Sequence, residues 1–311
     1  MSACLVCLGP EPTDAPDEPY HVACLRALFG VPRLPVLSLT LADIPAIASA
    51  AAGKISISGA QRKVLVRLSK KRTRILPTRK ISTFLLKPQL DTYPKVPENE
   101  HASMCAARLV GLVVPPFGLV RLADGSLAYI VKRYDRTDDD PPRKLPQFDF
   151  CQLAGRPSSQ RGAGTAEECA ALVKRFASDP AVEQRRLFRH LLFAYWIGNG
   201  DLHLKNLSLL QSFDGALCLA PAYDLVSTWV YRDRSMTMSM SGRTKDLRPA
   251  DWLEYGERHA GLGRPQSEAL IQEMLSNTRA ILAMLERSLL PELLRKDFQR
   301  VIKKRARALG G

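Results

Sequence analysis

Between Lys63 and Asp135 the apolar positions recur at every second residue in short runs. The runs KVLVRLS, STFLLKP, FGLVRL and LAYIVKRYD are rich in β-branched and large apolar side chains. That period is the period of a strand with one face turned to a core. The last two runs flank Asp124-Gly125, a turn pair that predicts a tight hairpin. One segment inside this region changes period: Glu98 to Leu112 sets Ala102, Cys105, Ala106 and Leu109 at helical spacing. The acidic, Pro-rich stretch TDDDPPRKLPQ, residues 137–147, reads as a boundary and not as an element. Beyond it the pattern is mostly helical. An apolar run at Leu187, Leu191, Leu192 and Tyr195 leads to a helix end at Trp196-Ile197-Gly198, and amphipathic stretches follow at 266–288 and 290–307. Asp214-Gly215 marks a second hairpin in this half. A β-rich half before a helical half predicts an α+β, two-lobed molecule. We divide the chain into an amino-terminal appendage and linker (1–36), a β-rich lobe (37–136) and a helical lobe (137–311).

Composition changes this picture little and charge somewhat more. The 311 residues suffice for about two domains, and 46% hydrophobic with 24% charged residues is the balance of a globular chain. Repeats and low-complexity segments are absent from the sequence. Its longest apolar stretch, Leu109 to Val120, is broken by Pro115 and Pro116 and falls short of a membrane span. The first residues, MSACLVCLGPEPTDAP, lack the basic and apolar regions of an export signal, so a cytoplasmic location is expected. A net charge of +14 favours acidic partners such as nucleic acid or nucleotide phosphates. The two densest basic clusters, Lys70-Lys71-Arg72-Arg74 and Lys303-Lys304-Arg305-Arg307, read as a polar hairpin turn and a solvated last helical turn. Neither has aromatic residues interleaved, so a stacking platform for single-stranded nucleic acid is missing.

Seven cysteines without an export signal argue for free thiols or a metal site over a disulfide framework. Cys4-x2-Cys7-x13-His21-x2-Cys24 has the spacing of a four-ligand zinc site built from two knuckle pairs. The competing reading is a segment that packs through Leu25, Leu28 and Phe29 and carries its thiols incidentally. Cys105, Cys151, Cys169 and Cys218 are scattered and read as small apolar packing residues.

The sharpest chemistry lies directly after the helix that ends at Gly198, in Gly200-Asp201-Leu202-His203-Leu204-Lys205-Asn206. Asp201 and Asn206 have the D-x-x-x-x-N spacing of a kinase catalytic loop, where the Asp accepts the proton of the attacking hydroxyl and the Asn holds a metal ion. Tyr223-Asp224 follows the Asp214-Gly215 hairpin and places a second carboxylate where a kinase keeps its other metal ligand. Upstream, the apolar strand FLLK ends in Lys87, a position that needs an anion: a phosphate together with a carboxylate from the next helix, Glu100 or Glu98. Lys87, Glu100, Asp201, Asn206 and Asp224 run in kinase order along the chain. His203 either touches a phosphate or orients Asp201, and His101 and His190 read as local packing or surface. The segment from Lys54 to Lys63 lacks a G-x-G-x-x-G. Its Ser56, Ser58, Gly59, Gln61 and Lys63 form either a short phosphate cradle or a plain turn.

The segments SISGAQRKVLVRL, FLLKP, ENEHASMCAARLVGLVVPPFGLV, YIVKRYDR, WIGNGDLHLKNLSLL and LAPAYDLVST, in that order, resemble the HipA family of bacterial toxin kinases, in particular its short HipT type. The resemblance implies a serine/threonine kinase fold using ATP and Mg²⁺, with ATP between two lobes and residues 132–136 near the hinge. It makes Asp201 the catalytic Asp, Asn206 and Asp224 the metal ligands and Lys87 the phosphate-binding Lys. Ser56 and Ser58 match the S-x-S loop that members autophosphorylate to switch themselves off. Known targets in the family are aminoacyl-tRNA synthetases. About 50 residues precede the loop, as in the short type, where a small HipS-like protein completes the amino-terminal lobe beside a helix-turn-helix, HipB-like DNA-binding antitoxin. Contact with DNA is then indirect. Two rival expectations remain: a catalytically silent kinase-fold subunit of a repressor complex, and a zinc-bearing basic nucleic-acid binder.

Overall fold

A computed structural model of the chain describes residues 3–13, 19–51, 63–89 and 92–310. They form two compact units: residues 1–105, 115–143 and 286–290 in unit 1, and residues 106–114, 144–285 and 291–311 in unit 2.

Unit 1 is built on a sheet of β1 (Val64–Leu68), β2 (Ile75–Pro77), β3 (Phe84–Pro88), β4 (Phe117–Arg121) and β5 (Leu127–Lys132). The order is β2-β1-β3-β5-β4 and every pairing among these described strands is antiparallel. Alternation delivers its core: Val64 and Val66 on β1 and Phe84 and Leu86 on β3 are buried. The β4–β5 hairpin turns at Asp124-Gly125, where Ser126 N–H and Oγ both bond the Asp124 carboxylate. Ahead of the sheet, α1 (Val22–Phe29) buries Leu25, Leu28 and Phe29, and the Phe29 ring lies 5.6 Å from that of Phe84. A short helix α2 (Ile44–Ala51) follows.

Helix α3 (Val96–Leu109) differs from its sequence reading. One apolar face was expected, ending in Leu109. Instead Glu98, Asn99, Glu100, His101 and Ser103 are buried with the alanines, and Leu109 is 43% exposed. A helix that buries polar residues beside its alanines loses its single-face signature. Its polar residues survive burial only because each finds a partner.

Unit 2 holds a three-stranded antiparallel sheet of β6 (Gln147–Asp149), β7 (Ser208–Gln211) and β8 (Leu217–Leu219), with β7 central and β7–β8 joined across Asp214-Gly215. Around it lie α4 (Phe150–Leu153), α5 (Ala166–Phe176), α6 (Pro180–Ile197), α7 (Pro249–Arg258), α8 (Arg264–Leu275), α9 (Thr278–Glu286) and α10 (Glu292–Ala308). α6 is the axis. Asp179 caps it by accepting the Val182 N–H, and Pro180 occupies its first turn. Leu187, Phe188, Leu191, Leu192, Phe193, Tyr195 and Trp196 are all buried along it, the larger side chains contributing roughly 1.5–3 kcal/mol each.

Two expectations for this half are corrected. The stretch 266–288 is two helices, because Asn277 Nδ2 and Thr278 Oγ1 bond back to the carbonyls of Glu273 and Leu275 and open a turn between α8 and α9. Nor is the last basic cluster wholly solvated. Arg305 is buried, bonds the Tyr195 carbonyl and lies 4.2 Å from the Tyr195 ring centre and 5.3 Å from that of Trp229. No described helix is long and apolar enough to cross a membrane.

Candidate active-site groups

In unit 2 the loop after α6 is held from both sides. Gly200 N–H donates to Thr228 Oγ1 at 2.8 Å, and its carbonyl accepts from Thr237 N–H and Oγ1 at 2.9 and 2.6 Å. A Cβ on Gly200 would strike the Ser235 carbonyl oxygen and lie 2.7 Å from Thr228 Oγ1, so the close approach admits only glycine. Asp201 follows, its N–H donating to Asn199 Oδ1 at 3.1 Å. Leu204–Asn206 then makes a single 3-10 turn that carries Asn206 inward. The Asn206 amide accepts from His203 N–H at 3.1 Å and donates to Asp224 Oδ2 at 3.3 Å.

Asp224 is aimed by its own backbone. Its φ is +59°, a left-handed conformation that a non-glycine residue holds at some cost and that concentrates at functional sites. The neighbouring Tyr223 hydroxyl donates to the Lys205 carbonyl at 2.8 Å and accepts from Ser208 Oγ at 2.7 Å, which ties the Asp224 segment to the Asp201 loop. Asp201 reaches solvent. Desolvation nevertheless raises its carboxyl above the ordinary value, His203 opposing that shift and Asp224 adding to it. Burial lowers the His203 imidazole, so it is uncharged at neutral pH.

This set fits a hard divalent cation. Mg²⁺ takes carboxylate and amide oxygens, and Asn206 and Asp224 bring one of each group to the same place, the Asn206 Nδ2 donating to Asp224 Oδ2 at 3.3 Å.

In unit 1, Lys87 stands on β3 opposite Tyr129 of β5, with its ammonium 5.6 Å from that ring's centre. Its Nζ meets Glu100 Oε1 on α3 at 2.5 Å, and both side chains are nearly fully buried. Glu98 is taken by Lys95 at 3.0 Å, so of the two carboxylates it is Glu100 that faces Lys87. Lys63 lies just before β1, half-buried. Ser56, Ser58, Gly59 and Gln61 lie outside the described residues. In the 132–136 segment, Arg133 chelates the Asp135 carboxylate at 2.9 and 2.7 Å and Arg136 adds a bond of 2.6 Å. His101 is buried on α3 and bonds the Val6 carbonyl at 3.2 Å. His190, on α6 in unit 2, is buried as well.

The Cys4, Cys7 and Cys24 sulfurs and a ring nitrogen of His21 lie within 4.8 Å of one another, also in unit 1. The other four cysteines form no disulfide; Cys105, Cys151 and Cys169 are buried and Cys218 is half-buried. Reading the sequence missed Asn199, Tyr223, Thr228 and Thr237, which position the loop. Only Tyr223 carried a signal, an aromatic with a polar tip beside a candidate ligand.

A family model described as "HipA-like C-terminal domain" matches residues 55–282. "Putative kinase Y4mE" of Sinorhizobium fredii is 31% identical over 285 residues, which is 88% of this chain and 65% of that protein. A "Putative kinase" of Haemophilus influenzae is 32% identical over 157 residues, 48% of this chain and 46% of that one. The chain thus spans less than two thirds of the length of these relatives. Among solved structures, HipA from a Shewanella oneidensis complex of HipA, HipB and operator DNA matches with a TM-score of 0.70 at 19% identity, covering 82% of this chain and 65% of that one. The Helicobacter pylori kinase CtkA matches with a TM-score of 0.57 at 12% identity, covering 81% and 90%. The two structures share the α+β kinase-like fold with this chain. With residues 55–282 inside the family model and a relative at 31% identity across most of its length, the chain belongs to the HipA-like family.

Proposed function

We propose that the chain is an ATP- and Mg²⁺-dependent serine/threonine protein kinase of the short HipT type. The observation that carries this reading is the meeting of Asn206 with Asp224 at 3.3 Å, five residues after Asp201 in a loop fixed at Gly200. Asp201 accepts the proton of the attacking hydroxyl, and the desolvation that raises its carboxyl makes it a better acceptor. Asn206 and Asp224 hold Mg²⁺, whose charge offsets that of the phosphate oxygens. Lys87, oriented by Glu100, binds the nucleotide phosphates as a point charge. His203, uncharged, orients the Asp201 loop.

The same reading takes Ser56 and Ser58 as sites of self-inflicted phosphorylation, each adding a charge of about −1.5 to −2 that competes with ATP for Lys87, Lys63, Gly59 and Gln61. The target is a serine on a translation-related protein, an aminoacyl-tRNA synthetase by family likeness. A HipB-like DNA-binding antitoxin and a small HipS-like protein are the partners. The complex of the Shewanella oneidensis protein with HipB supports the first of these.

The test is incubation of wild type and Asp201→Asn with γ-labelled ATP and Mg²⁺, followed by mass spectrometry. Label transfer by the wild type alone, with phosphate on Ser56 or Ser58, is the expected result. Equal transfer by both proteins overturns the role of Asp201, and no transfer by either overturns the kinase reading.

A further inference from the structure

We infer that Cys4, Cys7, His21 and Cys24 bind one structural Zn²⁺, which clamps the amino-terminal segment onto strand β4 and helix α3 of unit 1. The ligand atoms stand where the metal needs them. Bonds of about 2.3 Å to sulfur and about 2.1 Å to nitrogen in a tetrahedron put sulfur and nitrogen about 3.6 Å apart. His21 Nδ1 is 3.4 Å from Cys7 Sγ and 3.7 Å from Cys24 Sγ, and all four ligand atoms fall within 4.8 Å of one another.

The surrounding backbone is folded to stabilise thiolates. The Gly9 amide, two residues after Cys7, donates to Cys7 Sγ at 3.3 Å, and the His21 amide donates to Cys4 Sγ at 3.4 Å. Three thiolates around a divalent ion leave one negative charge, and these N–H dipoles point at it. Glycine at position 9 keeps this turn uncrowded, since a Cβ there would stand 3.0 Å from Cys7 Sγ and 3.2 Å from His21 Cε1. A segment that merely packed through Leu25, Leu28 and Phe29 would need none of this convergence. Four protein ligands with no open position make the site structural and not catalytic.

What the clamp holds follows from the carbonyls between the first two cysteines. Leu5 O accepts from Leu119 N–H on the outer edge of β4 at 2.8 Å, and Tyr20 OH bonds the Leu119 carbonyl at 3.0 Å. Val6 O is bonded by His101 Nε2 at 3.2 Å and by the Cys105 thiol at 3.7 Å, both on α3. Leu8 O accepts from Arg287 Nε at 2.7 Å. His101 is the residue after Glu100, so the knuckle is anchored one residue from the carboxylate that meets Lys87. The metal assignment itself is independent of the kinase reading.

The test uses the full chain, purified without a polyhistidine tag or chelator. Elemental analysis is expected to give one zinc per chain. Exchange for Co²⁺ should produce thiolate charge-transfer bands and the intense visible bands of a tetrahedral S₃N site, both lost in Cys24→Ser. Should that variant fail to fold, the cobalt spectrum of the wild type still decides. Protein without zinc that also gives no such cobalt bands, or a disulfide among these cysteines in protein purified under reducing conditions, overturns the proposal. Chelation should speed amide exchange about tenfold or more in residues 3–9, 19–29 and 96–105. Unfolding of the whole chain on chelation supports the clamp in stronger form, whereas unchanged exchange in α3 refutes it.

Discussion

The Lys87–Glu100 pair lends itself to a double-mutant cycle that separates its structural from its chemical role. Its two side chains are 5% and 1% exposed and 2.5 Å apart, so neither charge is relieved by water. Lys87→Met keeps the stem volume and removes the cation, leaving the Glu100 carboxylate buried without it. Breaking a buried pair from one side costs about 3–5 kcal/mol, a factor of roughly 10²–10⁴ in the folded-to-unfolded ratio. Glu100→Leu should cost somewhat less, because the Tyr129 ring 5.6 Å from the ammonium offsets about 0.5–2 kcal/mol of its exposure to a low dielectric. The double variant has no buried charge at this place and should lie within about 1–2 kcal/mol of wild type, giving a coupling energy of at least about 3 kcal/mol. All three tryptophans, Trp196, Trp229 and Trp252, belong to unit 2, so indole fluorescence would miss the event. The suitable readout is native-state hydrogen exchange of the β3 and β5 amides. Phosphoryl transfer should be lost in all three variants, stability returning in the double variant without activity. Additive effects, or a Lys87→Met variant that loses less than about 1 kcal/mol, would show that the pair is screened, contrary to the burial argument.

Asp224→Asn should weaken Mg²⁺-dependent ATP binding more than Asp201→Asn does, because only Asp224 is assigned to the metal; equal losses by calorimetry would contradict the division of roles. His190 gives unit 2 a pH dependence. Burial lowers its imidazole from 6.5 to about 4, with Arg186 adding to the shift, so the unfolded chain binds the proton more tightly. Its contribution is therefore intact above about pH 6.5 and falls as pH drops toward 4, by about 3 kcal/mol in all. Urea midpoints followed by tryptophan fluorescence should decline through that interval in wild type and decline less in His190→Gln; parallel profiles would refute the assignment.

The parts of the fold that depend on neighbours in sequence were legible. Asp124-Gly125 and Asp214-Gly215 do turn hairpins, since turn chemistry is written in two or three adjacent residues. The α+β division followed from a change of period and could be read without knowing any contact. Features set by distant contacts escaped. A single apolar face on α3 would put Leu109 in the core, whereas the buried residues run from 98 to 107, with His101 and Cys105 held by Val6 and Glu100 by Lys87, partners distant in sequence. Arg305 looked solvated because Tyr195 and Trp229 are 110 and 76 positions away. In the candidate site, the spacing of Asp201 and Asn206 is weak by itself and gains weight only with Asp224 downstream and Lys87 on its apolar strand. The Tyr223 hydroxyl bridge and the choice of Glu100 over Glu98 needed the fold, because side-chain direction decides both.

Both outer strands of the unit 1 sheet are covered by chain that precedes them. Leu5 and Tyr20 bond the outer edge of β4 at Leu119, and Val36 bridges Arg74 beside β2, its amide donating to Thr73 and its carbonyl accepting from Ile75, both at 2.9 Å. An uncovered edge is a template for pairing with another chain. Here the covers leave the ribosome before the strands they protect, so each edge can be closed as soon as it emerges. The two outer edges of the nascent sheet then do not wait for a later part of the sequence; only the inner edge of β3 does, until β5 follows. In the finished protein the edge positions at Leu119 and Ile75 are closed to strand addition as well.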